Sequence, residues 1–545
     1  MPEGTHTTAR TTTARTTTHA TAAHATTPDT AHEVVIAGGG PVGLWLACEL
    51  RVHGVDVIVL ETRAEPDPHS RALTVHPRTL ELLAARGLVE PFLAEGLRVP
   101  SGHFAALTTR MDFSRLDTPY PFTLVLPQVR TEELIAAHAE AVGVRLLREH
   151  RVTGLTQYDG AVTVEVDTPA GHRQLRAAYL VGCDGSRSTV RTAAGIGFPG
   201  TAATRWAWMA DVTLDAPPAA HSSSNEHGTV MVFPLPGGLH RVVGNDAHSV
   251  QEPPEAPTIE ELRTRVRRIA GTDLGMRDPR WISVFGNATR QAERYRHGRV
   301  LLAGDAAHTH FPAGGPGLNV GLQDAGNLGW KLAQTLAGTA PDGLLDSYHT
   351  ERHPVGAELL RSTSAQSGLM TSYTPENLAL RELLGELIGG VPEFSEALAL
   401  RAAGLAVNYP PAEPSGAHPL TGTRAPDLAV HGGGTLLPLL RRGRYVLLDL
   451  TTAPDAPSPL APLAHDVTPG LDVHAAPAAG RRPAGHRPAW SGVTAALVRP
   501  DGHLAWLCTD ADPREAARTA VTATLARRQE RAPSISPGRR TGKGH

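Results

Sequence analysis

The chain has 545 residues, of which 41% are hydrophobic and 19% charged, and its formal net charge is -3. This length and composition predict a cytoplasmic globular protein of two or three domains, and the small net charge argues against nucleic acid as a partner. The three cysteines, Cys48, Cys183 and Cys508, form no CxxC pair, so we expect neither disulfides nor a metal site. The longest nearly apolar run, residues 34–48, is too short to span a membrane.

Both ends of the chain are predicted to be disordered tails. Residues 1–31 contain 13 Thr and 7 Ala but no apolar run, so they cannot offset the entropy of ordering and lack the core of a signal peptide. Residues 528–545 are basic and rich in Pro, Ser and Gly. The competing hypothesis is that His19, His24 or the Thr-rich run covers a pocket as a lid.

Residues 33–61, "EVVIAGGGPVGLWLACELRVHGVDVIVLE", predict a strand, a helix and a second strand. The apolar run 33–37 is typical of a buried parallel strand, and apolar positions then continue at helical spacing to Leu50. Gly54 is predicted to end the helix. The second strand covers residues 55–60 and leads into Glu61.

A GxGxxG motif made by Gly38, Gly40 and Gly43 lies where the first strand meets the helix, with Pro41 near the helix start. The motif alone is weak, but here it sits inside a βαβ unit with an acidic residue, Glu61, about 20 residues on. Such glycines let the backbone approach a pyrophosphate at the helix N-terminus, and the acid accepts hydrogen bonds from a ribose. The unit therefore predicts a dinucleotide site.

Later segments place further polar residues beside predicted elements. Arg71 precedes a helix in "SRALTVHPRTLELL", and Gln128 precedes a helix that we expect Thr131 to cap. The strand in "YLVGCDGSRSTVRTAAGI" runs into an Asp-Gly turn at Asp184. The strand in "VLLAGDAAHTHFPAGGPGLNVGLQDAGNLGWKL" runs into a Gly-Asp turn at Asp305 and then a helix.

Taken together and in this order, the motifs resemble the class A flavoprotein aromatic monooxygenases, the family of p-hydroxybenzoate and phenol hydroxylases. The resemblance covers residues 33–360. It implies an α/β fold with a Rossmann-type FAD-binding domain, a mixed β-sheet substrate domain and a C-terminal thioredoxin-like domain. It also implies noncovalent FAD, with NADPH or NADH and O2 as co-substrates.

The resemblance assigns the two ends of FAD to separate motifs. Asp305 would bind the ribityl chain, and the backbone of residues 317–319 would lie by the pyrimidine side of the isoalloxazine, where a helix N-terminus stabilises negative charge. Gln128 would reach the phosphates or the ribityl chain, and Arg71 the pyrophosphate or the ring edge. The full set of expected FAD-binding residues is Gly38, Gly40, Pro41, Val42, Gly43, Glu61, Arg71, Gln128, Val152, Asp184, Asp305, Gly317, Leu318 and Asn319.

The expected roles of Val152 and Asp184 differ from those of the other residues. Val152 would offer backbone groups to the adenine. Asp184, with Arg187, would support FAD and NAD(P)H binding or would only buttress the fold.

Residues 204–290 carry the alternating runs "TRWAWMADVTL", "GTVMVFPL", "LHRVVG" and "WISVFG", which predict a mixed sheet with one buried face. In the family, this sheet covers the substrate pocket. Packing inside the sheet core is the alternative for each of its large side chains. The candidate substrate-binding residues are Trp206, Trp208, Met209, Met231 and Phe233.

The Pro-rich residues 405–430 mark the beginning of another domain, and "ALVRPDGHLAWLCTDAD" predicts a strand, a turn and a strand. This part resembles the thioredoxin-like C-terminal domain of polyketide hydroxylases, and without a cysteine pair its role would be structural or oligomeric. The expected organisation begins with a tail (1–31) and ends with a second tail (528–545). Between them, residues 32–405 form an FAD-binding domain (segments 32–100, 126–203 and 291–405) interleaved with a substrate-binding sheet domain (segments 101–125 and 204–290). A thioredoxin-like domain follows over residues 406–527.

The resemblance implies hydroxylation of a polycyclic aromatic, polyketide-type substrate by a flavin C4a-hydroperoxide, in antibiotic or secondary-metabolite biosynthesis. The cofactor would carry the chemistry, while the protein, a monomer or homodimer, orients the substrate and keeps the pocket dry. No catalytic side chain is predicted, and His308 and His310 are expected to serve packing or polar support. A Baeyer–Villiger oxygenase, an antibiotic-inactivating monooxygenase and a flavin-binding scaffold or sensor remain as alternatives.

Overall fold

The structure is a computed structural model, and it describes residues 31–69, 71–218, 222–247, 254–411, 417–454, 456–466, 470–477, 481–482, 485–486 and 488–525. Apart from Ala31, the two tails predicted from the sequence lie outside the described residues, as do His19 and His24.

The first part of the chain alternates strands and helices. The strands are β1 (Ala31–Ala37), β2 (Val57–Glu61), β3 (Thr74–Val75), β4 (Leu97–Val99), β5 (Ser101–His103), β6 (Arg110–Asp112), β7 (Thr123–Val125), β8 (Arg145–Arg148), β9 (Arg151–Tyr158), β10 (Ala161–Thr168), β11 (Gly171–Gly182) and β12 (Gly200–Thr201). The helices are α1 (Pro41–Val52), α2 (Pro77–Ala85), α3 (Val89–Glu95), α4 (Gln128–Ala141) and α5 (Thr189–Ala193).

The middle of the chain begins with strands and ends with helices. The strands are β13 (Trp206–Thr213), β14 (Ser222–Asn225), β15 (Gly228–Pro234), β16 (Leu239–Asp246), β17 (Arg277–Gly286), β18 (Thr289–Gln291), β19 (Arg296–His297), β20 (Val300–Leu302) and β21 (His308–Thr309). The helices are α6 (Ile259–Ala270), α7 (Pro316–Leu336), α8 (Ser347–Thr371), α9 (Pro375–Gly390) and α10 (Pro392–Ala402).

The last part of the chain forms a four-stranded sheet, a separate two-stranded sheet and helices. Its strands are β22 (Tyr445–Asp449), β23 (Leu471–Ala475), β24 (Arg481–Arg482), β25 (Gly485–His486), β26 (Ala495–Val498) and β27 (Leu504–Cys508). Its helices are α11 (Leu436–Leu439), α12 (Leu463–Asp466) and α13 (Arg514–Leu525).

The largest sheet has the order β19-β20-β11-β1-β2-β8, with β1, β2, β8, β11 and β20 running parallel. Val34, Val35 and Ile36 of β1 are fully buried, as a central parallel strand between helices requires. Four of these strands lead at their carboxyl ends directly into a sequence motif. Because carboxyl ends of parallel strands meet at one edge, the fold gathers these motifs at a single edge of the sheet.

A second sheet, of order β14-β15-β16-β13-β17, covers that edge. All of its pairs are antiparallel, so the prediction of a mixed sheet was wrong. The physical reason is that hairpins join β14, β15 and β16, and only crossover connections produce parallel neighbours. One face packs on α6, with Trp208 and Val212 of β13 against Leu262 and Val266 of the helix.

The C-terminal sheet has the order β23-β22-β26-β27, in which β22 is parallel to β23 and antiparallel to β26, and β27 is antiparallel to β26. The predicted strand, turn and strand are confirmed as β26, the turn at Gly502 and β27. Both faces are buried. One face contributes Leu447 and Leu497 to a cluster that includes Trp330 of α7, so the unit packs directly on that helix.

Several boundaries differ from the sequence-based predictions. Strand β1 begins at Ala31 and not at residue 33, because Ala31 and His32 already pair with β11. Helix α4 begins at Gln128 after Pro127, so the prediction that Thr131 caps it was wrong. Thr131 lies one turn inside the helix, where it is buried and its hydroxyl has no hydrogen-bond partner among the described residues. Gly54 follows the C-cap residue of α1 with φ +76°, as predicted.

The described residues contain neither a membrane-spanning helix nor a cluster of metal-ligating side chains. None of the described helices is long and apolar enough to cross a membrane. No group of three or more described His, Cys, Asp or Glu side chains is arranged to hold a metal ion.

We expect removal of residues 1–30 to leave stability unchanged, because it keeps all of β1. Extending the deletion through His32 should lower the free energy of unfolding by about 1 kcal/mol. It removes two sheet positions and the 2.9 Å bond between His32 Nδ1 and Asp56. Urea unfolding of the two truncated proteins measures the difference. Equal stabilities would contradict this boundary, and lost turnover at unchanged stability after the shorter deletion would favour the lid hypothesis.

Candidate active site

A single cleft of about 2280 Å³ lies between the carboxyl edge of the parallel sheet and the inner face of the antiparallel sheet. All the predicted FAD-binding residues line it except Gly43, and so do all the candidate substrate residues except Trp208. The cleft therefore brings together groups that are far apart in sequence. Its two ends differ in chemistry, polar along the parallel edge and apolar beneath the antiparallel sheet.

The three motif glycines have two different structural roles. A Cβ at Gly38 would overlap the carbonyl of Cys183, and one at Gly43 would overlap the carbonyl oxygen of Gly38. These two glycines therefore permit close packing of strand and helix. A Cβ at Gly40 would meet no atom within 4 Å, so the space beside this residue is open to the cleft. Helix α1 begins there with no side-chain cap and no acid in its first turn, which leaves its N–H groups for an anion.

Glu61 stands at the carboxyl end of β2 and lines the cleft. Its carboxylate accepts hydrogen bonds from the backbone N–H of Gly39 at 2.8 Å and of Arg63 at 2.9 Å. Each carboxylate oxygen therefore has one bond and keeps a free lone pair. The residue can bind a ribose hydroxyl while it holds the glycine turn in place.

Asp184 has both carboxylate oxygens occupied. One accepts from the Ser188 hydroxyl at 2.5 Å and the other from the Val190 N–H at 3.1 Å, at the beginning of α5. Burial raises the pKa of Asp184, and these hydrogen bonds oppose the rise. This geometry favours the buttressing alternative for Asp184. Arg187, two residues before α5, lines the cleft and is exposed.

Asp305 has the opposite environment. It lies in a short 3-10 turn after β20, is exposed to the cleft, and accepts no hydrogen bond from any described residue. The adjacent Gly304 is buried with φ +62°, and its N–H donates to Asp324 of α7. The backbone of the turn is thus fixed while the Asp305 carboxylate stays free for a ligand.

Helix α7 points its N-terminus into the cleft. It begins at Pro316 after Gly315, with no side-chain cap and no acid in the first turn, and Gly317 and Leu318 line the cleft. Asn319 is buried, and its amide is fully engaged. Its oxygen accepts from the His76 N–H at 2.8 Å, and its nitrogen donates to the carbonyls of Thr74 and Gly315. The side chain therefore fastens strand β3 to the helix start and is not free for a ligand.

The remaining polar candidates flank these motifs. The Gln128 oxygen accepts from the Ala72 N–H at 3.2 Å, so this side chain helps to fix the segment that carries Arg71. The Arg71 side chain is exposed to the cleft, and its carbonyl accepts from Arg241 at 3.0 Å. Val152 is buried on β9 and lines the cleft.

The apolar end of the cleft is built from the inner face of the antiparallel sheet. Met209, Met231 and Phe285 belong to one cluster with Phe311, whose ring lies 5.5 Å from that of Phe285. Trp206 and Phe233 are half-buried at the same cleft. Trp208 does not line the cleft, because it lies on the face opposite to that of its neighbour Met209 and packs against α6. This position favours the alternative of packing in the sheet core for Trp208.

The two histidines after the Gly-Asp turn also separate. His308 is fully buried and its Nε2 donates to Asp324 at 2.8 Å, as expected of polar support. His310 lines the cleft, and its Nδ1 donates to the carbonyl of Phe311 at 2.7 Å. Burial lowers the pKa of His310, so the ring is neutral and its Nε2 is an acceptor near Gly317. His308 is therefore a buried supporting residue, whereas the side chain of His310 faces the cleft.

Sequence reasoning missed three polar cleft or near-cleft residues. Asp324 of α7 holds the Gly-Asp turn, and nothing in its helical spacing marks it. His103 and Arg110 line the cleft from β5 and β6. These strands have three residues each, which is too short for an alternating pattern to reveal them.

Comparison with known proteins agrees with this geometry. The family model described as FAD binding domain matches residues 31–363, and the model described as aromatic-ring hydroxylase, C-terminal, matches residues 418–527. The chain is 45% identical over 490 residues to the 12-dehydrotetracycline 5-monooxygenase/anhydrotetracycline 6-monooxygenase of Streptomyces rimosus, covering 87% of this chain and 95% of the relative. It is 42% identical over 495 residues to the rifampicin monooxygenase of Streptomyces venezuelae, covering 88% and 96%.

A solved structure gives the same result for the fold. The OxyS anhydrotetracycline hydroxylase from Streptomyces rimosus superposes with a TM-score of 0.81 at 43% identity, over 91% of this chain and 99% of that one. The similarity therefore extends through the antiparallel sheet and the C-terminal unit and is not confined to the dinucleotide motif.

The glycine geometry generates a paired test. Gly40→Ala should fold normally, because Gly40 has φ -75° and open space at Cβ, but its methyl group should lower FAD affinity by about tenfold or more. Gly43→Ala should instead destabilise the protein by about 1–3 kcal/mol through overpacking. Thermal unfolding of the apoprotein and fluorescence titration with FAD separate the two effects. Unchanged FAD affinity in Gly40→Ala would mean that no pyrophosphate lies at this turn.

Proposed function

Because this chain belongs to the FAD-dependent aromatic-ring hydroxylases, we propose that it is a flavoprotein monooxygenase. It uses NADPH or NADH and O2 to hydroxylate a polycyclic aromatic, polyketide-type substrate. One observation carries the proposal: a single cleft joins a dinucleotide-binding edge to an apolar sheet face. The relatives that act on tetracycline intermediates and on rifampicin support a large polycyclic substrate in antibiotic biosynthesis or inactivation.

The polar edge fits FAD along its length. Gly40 and the N-terminus of α1 would hold the pyrophosphate, Glu61 the ribose and Asp305 the ribityl hydroxyls. Val152 would contact the adenine, while Arg71 and Gln128 would contact the phosphates or the ring edge. When bound, FAD would accept electrons from the nicotinamide and activate O2.

The protein's own groups would control what happens beside the ring. The uncapped N-terminus of α7, at residues 316–318, would stabilise the negative charge of the reduced isoalloxazine. Met209, Met231 and Phe285 would enclose the substrate in an apolar wall and exclude water from the reacting carbon. The neutral His310 would accept a hydrogen bond at Nε2 from the hydroxyl of a phenolic substrate. None of these residues needs to form a covalent bond to the substrate.

The chain organisation follows the same scheme. We assign residues 32–405 to the FAD-binding and sheet domains as the sequence predicted, and residues 406–527 to a thioredoxin-like domain. The sheet order β23-β22-β26-β27, in which β26 alone runs opposite to the other three strands, supports the thioredoxin-like assignment. The domain has a single cysteine, Cys508, so its role would be structural or oligomeric and not thiol exchange.

Mass spectrometry of products formed under 18O2 tests the reaction. The proposal expects polycyclic phenols to gain one labelled oxygen with the carbon skeleton intact, together with NAD(P)H consumption stimulated by the substrate. An ester or lactone product would favour Baeyer–Villiger insertion, and turnover confined to a finished drug would favour antibiotic inactivation. Bound flavin without substrate-stimulated oxidation, or a product of unchanged mass, would contradict monooxygenation.

Asp305→Ala tests the ribityl assignment. The free carboxylate would accept hydrogen bonds worth about 1.5–3 kcal/mol each, so FAD affinity should fall by about tenfold or more. Because no described residue depends on this side chain, the thermal stability of the apoprotein should not change. Asp184→Ala is the matched comparison, since that carboxylate holds α5 and its loss should lower apoprotein stability. Unchanged FAD affinity in Asp305→Ala would contradict the assignment.

A further inference from the structure

The hairpin of β5 and β6 presents two hydrogen-bond donors to the substrate half of the cleft. His103 and Arg110 are direct cross-strand partners in this hairpin, so their side chains lie next to each other on the same face. Met111, the next residue on β6, is 1% exposed and packs with Phe113 in an apolar cluster at the wall of the cleft. The hairpin therefore places two polar side chains beside an apolar cluster.

Arg110 is half-buried and has no acidic partner in the described part of the chain. Its Nε donates to the Ser101 hydroxyl at 3.0 Å, which leaves the two terminal nitrogens without a protein acceptor. Burial lowers the pKa of Arg110, and no carboxylate opposes this. Arg241, on the opposite wall, is also buried but is paired with both oxygens of Asp211 at 2.8 Å. A desolvated guanidinium without such a pair is costly unless a ligand supplies the negative charge.

His103 adds a neutral donor beside it. Its Nδ1 accepts the N–H of Ala106 at 3.3 Å, so the ring proton is on Nε2, which donates to no described residue. Burial, with the nearby charge of Arg110, lowers the pKa of His103 to about 4, so the imidazole is uncharged near neutral pH. The pair therefore offers several N–H groups and no acceptor, which is the arrangement that an anionic oxygen requires.

The residues around His103 and Arg110 indicate what kind of molecule would carry the anionic oxygen. Phe104 and Phe113 line the cleft beside the pair, and His76, a neighbour of His103, is bonded through its N–H to Asn319 at the beginning of α7. The donors thus lie between apolar rings and the helix end that we assign to the flavin. A polycyclic molecule with an acidic group would satisfy both the apolar rings and the donors.

We propose that His103 and Arg110 form an anion-recognising subsite that selects polycyclic substrates bearing an acidic oxygen, either a carboxylate or an ionised vinylogous acid. The inference rests on the proposed function for the identity of the site. The subsite fixes the acidic end of the ring system and so determines which ring carbon faces the reacting end of the cleft.

Binding to the oxidised holoenzyme, without nicotinamide, tests the subsite independently of turnover. Two matched probe pairs are used: anthraquinone-2-carboxylate with its carboxamide, and 2-hydroxy-1,4-naphthoquinone with its methyl ether. We expect the acidic member of at least one pair to bind about tenfold more tightly, equivalent to about 1.4 kcal/mol. The pair that shows the preference identifies the acidic group. Equal affinities within both pairs would overturn the proposal, even if the enzyme hydroxylates neutral phenols.

Variants then assign the preference to this hairpin. Arg110→Gln should abolish the preference while the neutral probe binds as in the wild type, and Arg110→Lys should retain part of it. Arg98→Gln is the control, because Arg98 lines the same cleft but is exposed over the ring of Phe122 at 5.4 Å. Its preference should not change. An equal loss in Arg98→Gln, or none in Arg110→Gln, would overturn the proposal.

Discussion

The buried carboxylate of Asp324 is the interaction on which the cleft depends. It accepts hydrogen bonds from the N–H of Gly304 at 3.1 Å, from His308 at 2.8 Å and from Arg352 at 2.7 Å. Burial alone would raise the pKa of Asp324, but Arg352 and His308 hold it below its usual value. One ionised side chain therefore ties the turn that carries the free Asp305 to helices α7 and α8. Removing one partner of such a buried pair costs about 3–5 kcal/mol.

The same helix connects the cleft to the C-terminal sheet. Two turns beyond Asp324, Lys331 of α7 donates to Glu351 of α8 at 2.7 Å, and Arg499 from the C-terminal unit donates to both oxygens of Glu351 at 2.8 Å. Arg499 also binds Asp501, which closes the network. Burial would raise the pKa of Glu351, yet the two cations lower it to about 2. The C-terminal unit thus holds the far end of the helix whose N-terminus opens into the cleft.

The sequence predicted the parallel edge well because each motif there combines a local signal with a chain order. A glycine turn followed by an acid, such as Glu61, requires only neighbouring residues to be recognised. The antiparallel sheet was predicted less well, since alternation identifies two faces but not which of them a helix covers. Trp208, a candidate for the substrate pocket, packs on the face that α6 covers. Asp324 could not be predicted, because its hydrogen-bond partners are distant in sequence. Arg110 could not be predicted either, because its role depends on the lack of an acidic partner among the described residues.

The contrast between paired and unpaired polar groups distinguishes structure from function in this molecule. Several buried charges away from the cleft are paired, as with Arg86, which donates to Glu49 at 2.7 Å and to the carbonyl of Leu440. Along the cleft, the carboxylate of Asp305 and the guanidinium of Arg110 face the open space without a charged partner. A folded chain tolerates such groups only where water or a ligand satisfies them. The free acceptor at the polar edge and the free donors at the hairpin are therefore positions where, we infer, ligand chemistry and not folding determines the residue.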